Sequence, residues 1–226
     1  MKENNKKRIA IAVIQFLIFI AFTVMVKTTD VRPIGIMDDD VGMSLINEAV
    51  RNKLPYNDLY YKISELLGFV SLGVVGIFGL IGLIQLISRK SLKKVDFQII
   101  GLGFFYVVVL GFYVLFDKIV INYRPVLEDG QLAASYPSSH TMLSVCVMVT
   151  AMMNFSRLLK NKKGLKFAVN FVCFVVMVGL VVTRTLSGVH WISDIIGGLL
   201  LSTALILMYH TAMKIIEAKK LNKKKQ

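Results

Sequence analysis

Residues 97–116 read FQIIGLGFFYVVVLGFYVLF, a run of 20 residues without a charged side chain. A helix of about 20 apolar residues is long enough to cross the hydrocarbon core of a bilayer. Five further runs are almost as apolar, in chain order 9–26, 63–87, 141–155, 167–182 and 192–213, with one acidic residue near the start of the run at 63–87 (Glu65) and of the run at 192–213 (Asp194). Two of them, 141–155 and 167–182, are short for a span, so we expect each to extend into its flanks. The sequence predicts an all-α polytopic membrane protein with six transmembrane helices.

The composition of the whole chain agrees with this prediction. Of its 226 residues, 55% are hydrophobic and 18% are charged, with a mean hydropathy of +0.65 and a formal net charge of +13. About a quarter of the residues of a typical soluble domain are charged. A basic nucleic-acid-binding domain would not be so apolar. We therefore expect the lipid bilayer as a partner and no nucleic acid.

The positive charge is concentrated in four segments. Residues 1–8, 88–96, 156–166 and 214–226 contain 19 of the 27 basic residues and only three of the 14 acidic ones. Short cytoplasmic loops of membrane proteins carry such an excess of Lys and Arg. This predicts that both termini, including a basic tail at 214–226, are cytoplasmic. We expect a multi-pass protein of the cell membrane whose segments 27–62, 117–140 and 183–191 face outward.

The first outward segment, 27–62, is long and contains two features. Residues 43–53 form a helix-like stretch that is predicted to lie along the membrane surface. The acidic run Asp38, Asp39, Asp40 could bind a cation, but no loop with ligand spacing surrounds it. The alternative is a solvated loop or a helix N-cap.

The second outward segment ends in a helix-start signal. Residues 136–140 read Tyr-Pro-Ser-Ser-His, and Pro followed by Ser is typical of the first turn of a helix. This places Ser138, Ser139 and His140 where free backbone N–H groups and the helix dipole favour an anion.

Further ionisable residues lie at the same predicted membrane face. His190 and Asp194 are spaced i, i+4, so on a helix a carboxylate would orient an imidazole. Arg124 and Arg184 are suited to a bidentate grip on phosphate oxygens. Ionisable groups at this depth are costly and are therefore functional candidates.

Together these residues favour phosphoryl transfer without a metal ion. A phosphate would lie between arginines and a helix N-terminus, one histidine would attack it and the other would protonate the leaving oxygen. Metal binding by His140, His190 and Asp194 is the competing interpretation. The metal-binding interpretation is the weaker one, because the neighbouring arginines would repel a cation.

These motifs resemble the type 2 phosphatidic acid phosphatases, the PAP2 family, whose signature is KxxxxxxRP, then PSGH, then SRxxxxxHxxxD. Here the second element is residues 137–140 (PSSH), and the third starts at Thr183-Arg184 and continues to His190 and Asp194 with the family spacing. The motif region covers about residues 117–200. The six-span pattern extends the resemblance to one membrane domain over residues 1–226.

The resemblance implies roles for the matching residues. His190 would be the nucleophile that forms a phosphohistidine, Asp194 would activate it, and His140 would be the general acid. Arg124, Arg184, Ser138 and Ser139 would bind the phosphoryl group. Neither metal nor cofactor is implied.

The first element departs from the family pattern. Lys118 and Arg124 are separated by five residues instead of six, so the position that matches the family lysine is Asp117. One residue on a helix is a rotation of about 100°. Lys118 would reach the phosphate only if the end of the span unwinds or its long stem swings back.

The expected activity is hydrolysis of a lipid phosphate or diphosphate. Undecaprenyl diphosphate is the first hypothesis, and phosphatidic acid, phosphatidylglycerol phosphate and lysophospholipids stay open. Two alternatives use the same pocket: a lipid phosphotransferase with the same histidine, and a non-catalytic lipid-phosphate binder or transporter.

Two smaller expectations concern packing. Gly73, Gly76, Gly79 and Gly82 recur every third residue, which indicates close helix packing or room for a lipid tail. Trp191 is expected to be an anchor at the membrane interface.

Overall fold

The computed structural model describes residues 2–128 and 130–223. Within these residues the protein forms seven α-helices and no β-strand, only isolated β-bridges and one short 3₁₀ helix, Leu92–Lys94. The helices are α1 (Lys2–Thr28), α2 (Ser44–Lys53), α3 (Asp58–Arg89), α4 (Phe97–Lys118), α5 (Ser139–Leu158), α6 (Lys163–Leu186) and α7 (Ile192–Lys223).

All helices except α2 are long and apolar enough to cross a membrane, which gives six candidate spans in the described part of the chain. The predicted fold class and number of spans are confirmed. The two short runs do extend, because α5 contains 20 residues and α6 contains 24. The helix α7 continues through the predicted basic tail to Lys223, and residues 224–226 of that tail lie outside the described residues.

Two spans form the centre of the bundle. More than half of the apolar window of α5 and of α7 is buried, against at most 22% in the other spans. The helix α1 packs along α7, while α5 contacts α3, α4, α6 and α7. The residues at the start of α5 and α7 are therefore held by the best-packed part of the protein.

Residues of the basic segments meet at one end of the bundle. Arg157 lies 3.5 Å from Glu217, and the ammonium of Lys220 lies 4.1 Å from the centroid of the Phe97 ring. Long cationic side chains can cover apolar surface in this way while their charged ends reach water. The cytoplasmic location of this end stays a prediction from the charge pattern.

The helix α2 is tied to the opposite end of the bundle. The Asn47 side chain accepts a hydrogen bond from the Ser193 backbone N–H at 3.1 Å and donates to Ser193 Oγ and to the Gly42 carbonyl. Free N–H groups in the first turn of a helix need such acceptors. Arg51 of α2 donates to the Gly188 carbonyl. The segment 27–62, which is predicted to face outward, is thus fastened to the start of α7.

The loop before α5 is anchored by Tyr136. Its ring stacks on Phe19 at 6.4 Å, and its hydroxyl hydrogen-bonds to Thr23 at 2.8 Å. The helix α7 passes so close that a Cβ added to Gly197 would lie 2.4 Å from the Tyr136 ring. Glycine at this position lets α7 and the loop approach.

The glycine face of α3 differs from the first expectation. A Cβ at Gly73, Gly76 or Gly79 would meet nothing within 4 Å, and only Gly82 faces a neighbour, Ile99, at 3.1 Å. Close helix packing is therefore wrong at three of the four glycines, and the open face agrees with room for a lipid tail.

Candidate active site

The candidate residues gather at the end of the bundle that lies away from the basic segments. They come from the α4–α5 loop, the first turn of α5, the last turn of α6 and the turn before α7. Hydrogen bonds between these elements hold them together, such as the one from the Ser138 N–H to the Asp194 carbonyl at 3.0 Å.

His190 lies in the turn before α7, outside the helix. Its side chain is only 1% exposed, and Nδ1 lies 3.1 Å from Ser135 Oγ and 3.5 Å from Asp194 Oδ2. Nε2 is buried and has no hydrogen-bond partner among the described residues. The predicted pairing of His190 with Asp194 is present, but a turn places it there and not a shared helix face.

Asp194 has two functions in the structure. It is the third residue of α7, and Oδ2 accepts the backbone N–H of Trp191 at 2.9 Å, as an acidic residue does in a capping box. Oδ2 also accepts a hydrogen bond from Ser135 Oγ. The same carboxylate therefore begins the helix and holds the groups around His190.

Ser135 fixes the tautomer of His190. Because the Ser135 hydroxyl donates to Asp194, its oxygen is left to accept from His190 Nδ1–H. The lone pair on Nε2 is then free. Burial lowers the pKa of His190 well below its usual value, and the positive charges of Arg184 and Arg124 lower it further. The lowered pKa favours the neutral form of the imidazole.

His140 lies in the first turn of α5, as predicted. Nε2 lies 3.2 Å from Glu65 Oε1, and the buried Nδ1 has no partner among the described residues. The neighbouring Ser138 Oγ is buried and equally unpaired there, and Ser139 lines the same cavity as His140. Unpaired buried polar atoms are costly unless a ligand or water satisfies them.

Arg184 is fully buried in the last turn of α6. Nη1 donates to Glu65 Oε1 at 2.7 Å and to Ser64 Oγ at 3.2 Å, and the guanidinium lies over the Tyr61 ring. Nε and Nη2 have no partner within the described chain. These two atoms form the edge of a guanidinium that grips two oxygens of an oxyanion.

Arg124 follows α4 and is held by the loop that contains it. Nε donates to the Ala134 carbonyl at 3.3 Å, and Nη1 lies 3.0 Å from Glu128. Arg124 lines a cavity of about 270 Å³ together with His140, Ser139 and Asp117. The cavity has room for a phosphate group but not for a lipid.

The first-motif position is occupied by Asp117. Its side chain lines the cavity, while Lys118 is 77% exposed and pairs with Asp117 at 3.3 Å. Because α4 continues to Lys118 without unwinding, the one-residue offset directs the lysine away from the cavity. The geometry favours Asp117 over Lys118 at this position, and phosphate binding by Lys118 stays a prediction.

No cluster of three or more His, Cys, Asp and Glu side chains suited to a metal ion occurs within residues 2–128 and 130–223. His140 and His190, which the competing interpretation paired, contact different carboxylates, Glu65 and Asp194. The acidic run at 38–40 forms part of a turn, where the Asp39 carbonyl accepts the Gly35 N–H.

Sequence reasoning missed two residues, Ser135 and Glu65. Ser135 is two residues before the second motif, and Glu65 is the one charge within the first turns of an otherwise uncharged run. That isolated charge was a usable signal, because ionisable side chains in a span are rarely without a partner. Trp191 was also misjudged: it is buried and donates to the Tyr123 carbonyl at 2.7 Å, so the interfacial role is wrong.

The fold and the site define an integral membrane protein with two histidines and two arginines gathered at one end of its helix bundle. Residues 105–217, half of the chain, match the model of the PAP2 superfamily. The chain belongs to the PAP2 superfamily. This confirms the family resemblance and, with it, the enzyme class, a hydrolase of the phosphatase type.

One solved structure has the same fold. It is the crystal structure described as the first transmembrane PAP2 type phosphatidylglycerolphosphate phosphatase from Bacillus subtilis. The two chains are 20% identical, the TM-score is 0.63, and the match covers 91% of this chain and 96% of the other. No curated protein matches the chain.

Proposed function

We propose that the protein is a lipid phosphatase that hydrolyses a phosphate or diphosphate ester of a membrane lipid through a phosphohistidine at His190. The observation that carries the proposal is the state of His190. Its Nδ1 is held by Ser135 beside Asp194, while its buried Nε2 has no partner within the described chain and lies close to two arginines.

In the first step, His190 Nε2 attacks phosphorus, and the bond between phosphorus and the leaving oxygen breaks. His140 donates a proton to that oxygen, so the lipid alcohol or lipid phosphate leaves in a stable form. In the second step, His140 takes a proton from water, the hydroxide attacks phosphorus and the P–N bond breaks. Inorganic phosphate and free His190 are the products.

The phosphoryl group would be bound by residues that now have free hydrogen-bonding atoms. Arg184 offers Nε and Nη2, Ser138 offers its hydroxyl, and Arg124 and Ser139 border the cavity. These fixed donors stabilise the negative charge that develops in the transition state. Because the cations are side chains of the protein, we expect hydrolysis to continue in EDTA.

The lipid tail would lie between helices. A narrow, mostly apolar groove starts at Glu65 and His140 and continues between α3 and α5 past Phe69, Leu143 and Val147. We expect the tail to follow this groove away from His140, the proposed proton donor. Undecaprenyl diphosphate is our first substrate, followed by phosphatidic acid and by phosphatidylglycerol phosphate, the type of substrate named for the Bacillus subtilis protein.

The site would face outward. The charge distribution favours a cytoplasmic location for the four basic segments, and the candidate site is at the other end of the bundle. We therefore assign a single membrane domain, residues 1–226, to the cell membrane with its pocket on the extracytoplasmic side.

The test is phosphate release by purified protein in detergent with EDTA, from a panel of the lipids named above. The matched variants are His190→Ala and His210→Ala, since His210 lies near the basic end of α7. We expect release by wild type and His210→Ala and at least about 10³-fold less by His190→Ala. Equal release by all three would refute the nucleophile assignment. Transfer to an added lipid alcohol without free phosphate would identify a phosphotransferase, and binding without turnover would identify a non-catalytic binder.

A further inference from the structure

Glu65 is the one acidic side chain in the apolar part of α3. It is 30% exposed, and its Oε1 contacts two candidate site residues at once, Arg184 Nη1 at 2.7 Å and His140 Nε2 at 3.2 Å. A carboxylate in a membrane span is costly unless it is paired. The structure pairs the Glu65 carboxylate with the proposed general acid, His140, and with the proposed phosphate-binding residue Arg184. Glu65 itself belongs to none of the three motif elements.

The contact with Arg184 has a directional consequence. Glu65 and Ser64 occupy the Nη1 end of the guanidinium, and the Tyr61 ring lies against its face. The Nε and Nη2 atoms are thereby left unpaired in the described structure. Since this edge makes two parallel hydrogen bonds to an oxyanion, Glu65 orients Arg184 for the phosphate without touching the phosphate.

The contact with His140 is equally directional. A carboxylate accepts only, so His140 Nε2 must carry a proton when it bonds to Glu65. The acidic proton of an imidazolium is then on Nδ1, the atom that is buried and unpaired. Gly68 lies one turn further along α3, and a Cβ there would approach the His140 ring at 3.2 Å. The ring is thus confined between Glu65 and Gly68.

Charge gives Glu65 a third effect. Arg184, Arg124 and a protonated His140 would place three positive charges around one pocket, and Glu65 is the counter-ion in contact with two of them. An ion pair at low dielectric is strongly destabilised when one partner is lost. Replacing Glu65 would leave the protonated form of His140 without its counter-ion.

On the basis of the proposed function, we propose that Glu65 is a positioning residue for leaving-group protonation: it holds His140 as the proton donor and Arg184 with its phosphate-binding edge free. Proton donation matters most when the leaving group is a poor one. An alkoxide leaves slowly without a proton, whereas nitrophenolate is stable as an anion and leaves without one. Glu65 therefore affects hydrolysis of alkyl phosphates selectively.

The test compares Glu65→Gln with wild type on phosphatidic acid and on p-nitrophenyl phosphate, in detergent. We expect kcat/KM, which reports the step that expels the leaving group, to fall about 10²-fold on phosphatidic acid and less than about tenfold on p-nitrophenyl phosphate. Asp96→Asn is the matched control, because Asp96 also pairs with an arginine, Arg89 at 2.7 Å, but at the basic end. This control should match wild type on both substrates.

Two further measurements keep the outcome decisive. In a His140→Ala background, Glu65→Gln should cost less activity on phosphatidic acid than it does in wild type, because only its effect on Arg184 remains and coupled residues are non-additive. Glu65→Asp, which retains the charge, should recover part of the activity on phosphatidic acid that Glu65→Gln loses. Equal losses on both substrates, or additive losses in the double variant, would overturn the proposal. So would stronger inhibition of Glu65→Gln by inorganic phosphate, which would mean that the carboxylate only competes with phosphate for Arg184. If wild type itself releases no phosphate from these substrates or from any other lipid of the panel, the proposed function fails first.

Discussion

Ser135 hydrogen-bonds to His190: its Oγ lies 3.1 Å from Nδ1 of the imidazole, and the same hydroxyl donates to Asp194. In Ser135→Ala the Nδ1–H would lose its nearest acceptor and would have only Asp194 Oδ2 at 3.5 Å. A buried group left without a partner costs about 1–3 kcal/mol. We therefore expect kcat to fall roughly ten- to hundredfold. Ser202→Ala is the control, because Ser202 is also buried in contact with a carbonyl, that of Leu199. Equal rates for the two variants would remove Ser135 from the site.

The second prediction concerns the pH dependence of stability. Burial lowers the pKa of His190 in the folded protein, whereas the unfolded chain protonates it near its ordinary value of about 6.5. Below that pH the unfolded state binds more protons than the folded state, so stability is lost as pH falls below about 6.5. A plot of unfolding temperature against pH should therefore be steeper for wild type than for His190→Gln below a pH of about 6.5. At higher pH the two plots should run parallel. Identical slopes below pH 6.5 would contradict a neutral buried His190.

The third prediction separates Asp117 from Lys118. The carboxylate of Asp117 lines the cavity that would bind a phosphate, and Lys118 is exposed beside it. Removing a like charge near the anion should lower KM for a lipid phosphate several-fold in Asp117→Asn, because exposed charges interact by about 1 kcal/mol. Lys118→Ala should change kcat/KM less than about twofold. A large loss of kcat/KM in Lys118→Ala would show instead that the lysine binds the phosphate.

Gly188 provides the fourth prediction. Its φ is +64°, and a Cβ there would lie 2.5 Å from Arg51 Nη1 and 2.8 Å from the Leu54 carbonyl oxygen. Gly188→Ala should therefore lower both the unfolding temperature and kcat, since this turn leads directly into His190. Gly130→Ala is the matched control: its φ is +77°, but nothing lies within 4 Å of the added Cβ. The control should lose only the backbone strain of about 1–2 kcal/mol. Equal destabilisation of both variants would show that the close contact between Gly188 and α2 does not contribute to stability.

The fifth prediction tests the orientation in the membrane. Asp40 is an exposed residue of the loop predicted to face outward. In Asp40→Cys the new thiol should react with a membrane-impermeant thiol reagent in intact cells. Cysteine at the exposed Lys93, in a basic segment, should react only after the cells are permeabilised. The native Cys146 and Cys173 are buried and serve as the background. The reverse pattern would place the pocket in the cytoplasm.

Local patterns in the sequence were sufficient for the spans and for part of the site. The apolar runs predicted six long helices because the bilayer imposes a length on each one. The i, i+4 spacing brought His190 and Asp194 together, although the physical reason is a capping interaction at the start of α7. Both inferences depend on residues that are close in the chain.

Contacts between distant residues were out of reach. Ser135 is 55 residues from His190, and Glu65 is 119 residues from Arg184. No periodicity connects such positions, and only the packing of α5 against α7 and of α3 against α6 brings them together. The error at Trp191 has the same origin, because the loop before α5 folds over the indole and accepts its N–H.

The carboxylate of Asp194 belongs to the first turn of a 32-residue helix, α7, and also orients the group proposed to attack phosphorus. A span of this length adjusts its tilt when the hydrocarbon thickness changes. Any such tilt displaces Asp194 relative to Ser135, which is held by the α4–α5 loop. The protein therefore contains a mechanical link between the bilayer and its own chemistry, and in vesicles the turnover rate should depend on acyl-chain length even when the substrate headgroup is unchanged.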